Sequence, residues 1–279
     1  KLKKLEIDKH NPKFKKNKFC GILITDYHHL SKEENNTLKK FKSNGMHIIQ
    51  TRDWFEKVLQ RIPSELIMES EAKNKEFIIR RNNIYLKIKR LGDIFLSLML
   101  LIIFLPIIIL SGFLIRLNDK GPIFYSQIRT GYDGQKFRLW KLRSMKVNAE
   151  INNNAIWASK NDPRITTIGK VIRKCRIDEL PQLINVINGS MSLIGPRPER
   201  PEIEKTLNKK LNNYNLRHLV KPGVSGWAQV NYPYGASTLD SRIKLSYDIF
   251  YIKNQSILID ILIFFKTIRL VFSFKGSEP

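Results

Sequence analysis

The chain has 279 residues, 42% of them hydrophobic, with 49 Lys and Arg against 25 Asp and Glu. That is enough apolar material for one large or two smaller domains, and the net charge of +24 demands an anionic partner: nucleic acid, an anionic membrane face or phosphate-bearing substrates. Two widely separated cysteines, Cys20 and Cys175, exclude a disulfide framework and a zinc-type spacing, and they favour a reducing compartment.

The first 69 residues read as a small, partial α/β (Rossmann-like) region. "FCGILIT" (Phe19–Thr25) has the pattern of a buried strand. "SKEENNTLKKFKSNG" follows as a helix, with Ser31 and Glu34 as a capping box and Gly45 at its stop. "MHIIQ" and "TRDWFEKVLQRI" give a second strand and helix, and this alternation implies a parallel sheet. Two strands are few for a doubly wound sheet, so the region reads as the end of a larger upstream domain. It has no glycine-rich phosphate fingerprint. The start of the chain shows no cleavable signal-peptide pattern.

A polar linker over 70–88 leads into a membrane element over 89–118. Its core, "IFLSLMLLIIFLPIIILSGFLI" (Ile94–Ile115), is about 22 residues without a charge, long enough to cross a bilayer. Two features favour re-entry over a straight crossing. Pro106 interrupts the helix near its middle. Both flanks are basic, with Lys87, Lys89 and Arg90 before and Arg116 and Lys120 after, which suits a helix–break–helix with both ends on the cytoplasmic side.

The remainder, 119–279, reads as an α-rich catalytic domain with short strands, α+β in class. Its turn-rich stretches "NDPRITTIGK", "NGSMSLIGPRPERP" and "KPGVSGWAQVNYPYGAS" have the composition of site-building loops. "SILIDILIFFKTIRLVFSF" (Ser256–Phe274) is apolar but carries Asp260, Lys266 and Arg269. It reads as an interfacial amphipathic helix or a core helix, and the pattern alone does not separate them.

In "RIDELPQLINVI" the apolar positions Ile177, Leu180, Leu183, Ile184 and Ile187 mark one helical face, and Asp178 and Glu179 fall off it. Pro181 belongs in a first turn, so the helix is expected to begin near Asp178. The pair suits a helix N-terminus as an ordinary cap. It also suits a reaction centre, because Lys141, Arg143, Arg164, Arg173, Lys174, Arg176, Arg197 and Lys221 stand in neighbouring motifs. Cations there would neutralise phosphoryl oxygens. Asp is a competent nucleophile toward phosphorus, and a second carboxylate is a hard ligand for Mg²⁺. Trp140, Trp157 and Trp227 suit packing better than base stacking, and His218 suits a structural role. There is no zinc cluster and no P-loop.

From Lys89 to Lys275 the chain resembles the bacterial sugar transferases, the monotopic phosphoglycosyl transferases. The motifs, in order, are "KRLGDIFLSLMLLIIFLPIIILSGFLIRL", "GPIFYSQIRTGYDGQKFRLWKLRSM", "DPRITTIGKVIRKCRIDELPQLINVINGSMSLIGPRPE", "VKPGVSGWAQVNYPYGAS" and "YDIFYIKNQSILIDILIFFKTIRLVF". The resemblance implies transfer of a hexose-1-phosphate from a UDP-sugar to undecaprenyl phosphate, with release of UMP, as the first step of exopolysaccharide, capsule or O-antigen assembly. It implies Asp178 as the nucleophile, Glu179 on Mg²⁺ and Arg173, Arg197 and Lys141 at the nucleotide or its phosphates. Arg143 joins the substrate-binding group, and Asp248 matches an acidic position taken here as a second metal ligand. It also implies re-entry at the cytoplasmic face of the inner membrane, beside anionic lipids.

Two departures stand out. Leu105 precedes Pro106 where the family often has Ser, and "NYPYGAS" (Asn231–Ser237) replaces a shorter loop that bears on which sugar fits. UDP-glucose and UDP-galactose lead as donors, with UDP-N-acetylated sugars as the alternative. A non-catalytic scaffold for glycan assembly is the competing class, and self-association is left open. A nucleic-acid binder has the charge in its favour but no recognition motif.

Overall fold

A computed structural model describes residues 21–25, 30–74, 83–147, 149, 162–232, 235 and 237–273. Cys20, Trp157 and residues 75–82 of the 70–88 linker lie outside them. The chain forms two compact units that part after Gln60, ahead of the residue-69 boundary read from composition.

In the first unit, β1 (Gly21–Ile24) pairs in parallel with β2 (His47–Gln50), and α1 (Lys32–Ser43) connects them. The capping box is present: Ser31 Oγ accepts the Glu34 N–H, and Glu34 accepts the Ser31 N–H at 2.8 Å. Gly45 takes φ +80° just beyond the helix. α2 (Thr51–Leu59) ends at Gln60, which sits in the left-handed region without being glycine.

The second unit opens with a 3-10 turn (Ser64–Leu66) and α3 (Glu69–Asn74). Next comes α4 (Asn83–Asp119), one helix of 37 residues, or roughly 55 Å at 1.5 Å per residue. It runs unbroken through Leu105 and Pro106. Proline has no N–H for the Ile102 carbonyl, but one missing bond in a ladder this long does not end the helix.

The ends of α4 are held by protein. Arg90 donates to the Val186 and Ile187 carbonyls at 2.6 and 2.7 Å, and Asp93, buried, accepts the Leu193 N–H at 3.1 Å. Farther along, Gly112 is buried against Ile123, where a β-carbon would sit 2.9 Å from the Ile123 side chain. Between these anchors Phe95, Ile102, Ile103, Ile109 and Leu110 are all exposed, as is Phe113 just beyond. This is the one described helix long and apolar enough to cross a membrane.

β3 (Phe124–Thr130) and β4 (Lys136–Leu142) form an antiparallel hairpin. α5 (Thr167–Lys174) and α6 (Gln182–Ile187) follow, then β5 (Ser192–Ile194), α7 (Pro201–Lys210), and β6 (Gly223–Ser225), which pairs in parallel with β5. α8 (Trp227–Asn231), α9 (Thr238–Lys253) and α10 (Ile257–Phe272) close the unit. Its core gathers Leu183, Val186, Met191, Trp227, Leu245, Tyr251 and Ile263. Trp227 stacks on Phe250, so this tryptophan packs the core, as expected.

α10 combines the two readings of its sequence. Ile263 is wholly buried, while Leu258, Phe265 and Phe272 project outward. The charge that argued against lipid burial is neutralised in place: Asp260 accepts from Lys89 Nζ at 2.8 Å, Tyr85 OH at 2.9 Å and Tyr251 OH at 2.8 Å. Truncating the fully buried Met191 to Ala should destabilise the unit by about 2–5 kcal/mol. Denaturant unfolding of the detergent-solubilised protein measures this.

Candidate active site

The Asp178–Glu179 pair lies in a tight reversal between two helices. α5 begins at Thr166, whose hydroxyl accepts the Gly169 N–H at 2.9 Å. Gly169 packs so closely on the end of β4 that a β-carbon there would be 1.9 Å from the Ser144 carbonyl oxygen. After α5, Arg176 turns the chain at φ +55°, a conformation that is uncommon for a side-chain-bearing residue. Ile177–Glu179 then form a single 3-10 turn.

α6 therefore starts at Gln182 and not near Asp178, because the chain must first reverse, and Pro181 fits the position ahead of its first turn. The buried face also differs from the apolar stripe. Gln182, Leu183, Asn185 and Val186 face inward, whereas Ile184 is 48% exposed. Of the two polar members of that face, Asn185 is held by tertiary partners on β4 that periodicity does not reveal.

Glu179 is the centre of charge. Its Oε1 lies 2.5 Å from Arg197 Nη2 and 3.3 Å from Lys141 Nζ, and its Oε2 lies 3.7 Å from Arg176 Nη1. Burial pushes its proton affinity up, but Arg197, Lys141 and Arg176 together outweigh it and hold the carboxyl well below the usual range.

Asp178 behaves differently. It is 7% exposed, and no described residue makes a hydrogen bond or ion pair with its carboxylate. Burial raises its pKa to about 6, with Lys141 opposing, the Glu179 charge adding and Arg173 and Arg197 opposing. Its lone pairs are thus uncommitted. Lys141 itself is pushed down by burial, with Glu179 opposing.

Both carboxylates line a cavity of about 940 Å³. Arg129, Lys141, Arg143, Lys146, Arg164, Arg173, Arg176, Arg197, Arg200, Arg217 and Lys244 border it, against Asp178, Glu179, Glu199 and Asp248. So cationic a cleft suits an oligo-anion such as a nucleoside diphosphate.

Most of the residues singled out from the sequence meet here, in different roles. The Arg173 side chain lines the cavity with no hydrogen-bond or ion-pair partner among the described residues. Arg143 is buried and paired with Asp119 at the end of α4, so it ties the hairpin to that helix. Asp248, 2% exposed, is engaged by Arg217 at 3.0 Å, and Arg217 also donates to the Arg197 carbonyl at 2.7 Å and to Tyr214. Burial lifts the Asp248 carboxyl to about 6 against the pull of Arg217.

Lys174 and Lys221 do not line the cavity. His218 pairs with buried Glu204 at 2.7 Å, a structural contact. Arg129, Arg217 and Lys244 were not singled out. An arginine inside apolar "LRHLV" is a usable signal for Arg217, since a charge in such a run needs a buried partner.

The loop after α8 reaches the cavity through Asn231, Tyr232 and Gly235. Tyr232 OH donates to Asp240 at 2.9 Å, and Lys244 Nζ donates to the Gly235 carbonyl at 2.6 Å. Pro233, Tyr234 and Ala236 of that loop lie outside the described residues. Among those described, no group of three His, Cys, Asp or Glu side chains is placed to hold a metal.

A family model described as bacterial sugar transferase matches residues 84–274. The chain is 45% identical over 195 residues to a UDP-N-acetylgalactosamine-undecaprenyl-phosphate N-acetylgalactosaminephosphotransferase of Aeromonas hydrophila, covering 70% of this chain and 46% of that protein. It is 41% identical over 197 residues to a UDP-glucose:undecaprenyl-phosphate glucose-1-phosphate transferase of Klebsiella pneumoniae, covering 70% and 41%. It is 35% identical over 188 residues to the exopolysaccharide production protein PSS of Rhizobium leguminosarum bv. phaseoli, covering 66% and 94%. The chain spans less than half the length of the first two.

Arg217→Ala should leave Asp248 buried without its ion-pair partner and cost about 3–5 kcal/mol of stability. A lowered midpoint in denaturant unfolding, with the Asp248→Asn, Arg217→Ala double variant partly restored, is the expected result.

Proposed function

The chain belongs to the bacterial sugar transferase family, and on that premise we propose that it moves a hexose-1-phosphate from a UDP-sugar to undecaprenyl phosphate, releasing UMP. The observation that carries the reading is the contrast within the pair. Asp178 has an uncommitted carboxylate at the cavity wall, beside a Glu179 fully engaged by cations.

An Asp178 oxygen attacks the β-phosphorus of the UDP-sugar. The bond from that phosphorus to the bridging oxygen breaks, and UMP departs with the electron pair. The sugar phosphate is left as an acyl phosphate on Asp178. A phosphate oxygen of the lipid then attacks the same phosphorus and expels the Asp178 carboxylate, giving the polyprenyl-diphospho-sugar. Lys141, Arg173 and Arg197 stabilise the charge that builds on the equatorial oxygens.

Glu179 would hold Mg²⁺ only by exchanging one of the cations now on its two oxygens for the ion, which would then neutralise the diphosphate. Asp248, assigned from the resemblance as a second ligand, is engaged by Arg217, so its place in this reading is to brace the Arg197 loop.

For the membrane, the reading is that α4 enters the bilayer from the cytoplasmic face and bends at Pro106, with the apolar side of α10 resting at the interface. The exposed apolar residues of both helices support this. A hexose donor such as UDP-glucose leads. A UDP-N-acetylhexosamine is the second reading, favoured by the 45% identity to the Aeromonas protein.

Initial rates of UMP release, measured across a panel of UDP-sugars with undecaprenyl phosphate, test the reaction; no release with any donor overturns it. Asp178→Asn should lower the rate by about a thousandfold or more and abolish covalent capture of β-³²P-labelled donor. The wild-type rate should fall as pH drops through about 6, because Asp178 takes up a proton there while Glu179 stays ionised.

A further inference from the structure

Asn185 is 1% exposed and lies on α6, away from the cavity. Its Oδ1 accepts the backbone N–H of Trp140 at 3.1 Å. Its Nδ2 donates to the Arg138 carbonyl at 2.8 Å and to Ser190 Oγ at 3.2 Å. Arg138 and Trp140 flank Leu139 on β4, whose other edge is paired with β3. Among the described residues the β3–β4 sheet has only these two strands, and none pairs with the outer edge of β4. The Asn185 amide takes that place: it offers β4 one acceptor and one donor, as the peptide group of a third strand would.

The next residue along β4 is Lys141, whose ammonium reaches Glu179 at 3.3 Å. Sliding the hairpin by one residue along α6 would carry Lys141 about 3.3 Å away from its place beside Glu179. The cross-strand pairs with β3 do not prevent this, because β3 could move with β4. A contact from outside the hairpin is needed, and α6, which follows directly on the Asp178–Glu179 turn, supplies it.

We propose that Asn185 is a positioning residue, fixing the register of β4 against α6 and so holding the Lys141 ammonium beside the Asp178–Glu179 pair. The proposal rests on the phosphotransfer reading for its catalytic consequence, but the pin itself can be tested without turnover.

The experiment uses the full chain in lipid nanodiscs. Amide hydrogen exchange in Asn185→Ala should speed at Trp140 by about tenfold or more, as expected for a lost amide bond, while the amides that pair with β3 keep their protection. Unchanged exchange at Trp140 overturns the pin. In parallel, UMP release is followed in a double-mutant cycle with Lys141→Met.

Asn185→Ala should lower kcat by about tenfold or more, with KM for the UDP-sugar within about threefold. The same change made in Lys141→Met should cost less than about twofold, because the group it positions is already gone. Costs that multiply across the two sites overturn the proposal and leave Asn185 a merely structural residue. Asn185→Asp retains the acceptor for Trp140 and loses the donor to Arg138, so it should fall between wild type and Ala; it carries the cycle should the Ala variant not fold. If wild-type protein releases no UMP, the phosphotransfer reading fails, while the exchange measurement still decides the pin.

Discussion

The Glu179 carboxylate is the interaction on which the rest of the second unit depends. Arg197 arrives from the loop after β5, Lys141 from β4 and Arg176 from the reversal after α5, and all three converge on its two oxygens. Three elements distant in sequence are thereby drawn to one point. A buried carboxylate surrounded in this way stays charged, and its charge raises the proton affinity of Asp178 next to it. The inequality of the two acids thus comes first from the burial of Asp178, with the Glu179 charge adding to it, and from the cations gathered on Glu179.

A second layer of ion pairs stands behind this centre. Arg217 bridges Asp248 and the Arg197 carbonyl, so the arginine that touches Glu179 is itself braced from α9. On the opposite wall, Arg143 joins the end of β4 to Asp119 at the end of α4. The cavity cations therefore fall into two kinds. Some, like Arg143 and Arg217, are spent on architecture. Arg173, by contrast, has no ion-pair partner among the described residues and faces the space where an anion would sit.

Much of this was legible in the sequence, where local physics decides. The capping box of α1, the βα alternation of the first unit and the uncharged run within α4 each follow from short-range rules, and each is present. The Asp178–Glu179 pair was also picked out together with eight cations in neighbouring motifs; crowding implied an anion, and the resemblance narrowed the cations to Arg173, Arg197 and Lys141, all of which line the cavity. What failed was periodicity across the reversal: with Arg176 in a left-handed conformation and Pro181 behind the turn, α6 begins later and shows a different face. Arg217 and the inward side of Asn185 escaped because Asp248 and β4, which hold them, lie far along the chain. Asp260 looked like an obstacle to lipid contact for the same reason, since Lys89, Tyr85 and Tyr251 neutralise it only in three dimensions.

The apolar helix is more than an anchor attached to a separable enzyme. Arg90 closes the end of α6, Asp93 caps β5, Lys89 receives Asp260, and Ile108 and Ile115 pack with Ile172 and Ile177 beside the reactive turn. Trimming α4 away to obtain a water-soluble form would therefore uncover the apolar layer that packs against Ile172 and Ile177 and strand the groups that Lys89, Arg90 and Asp93 hold. Any route to a soluble form has to keep this helix and recolour only its outward-facing side.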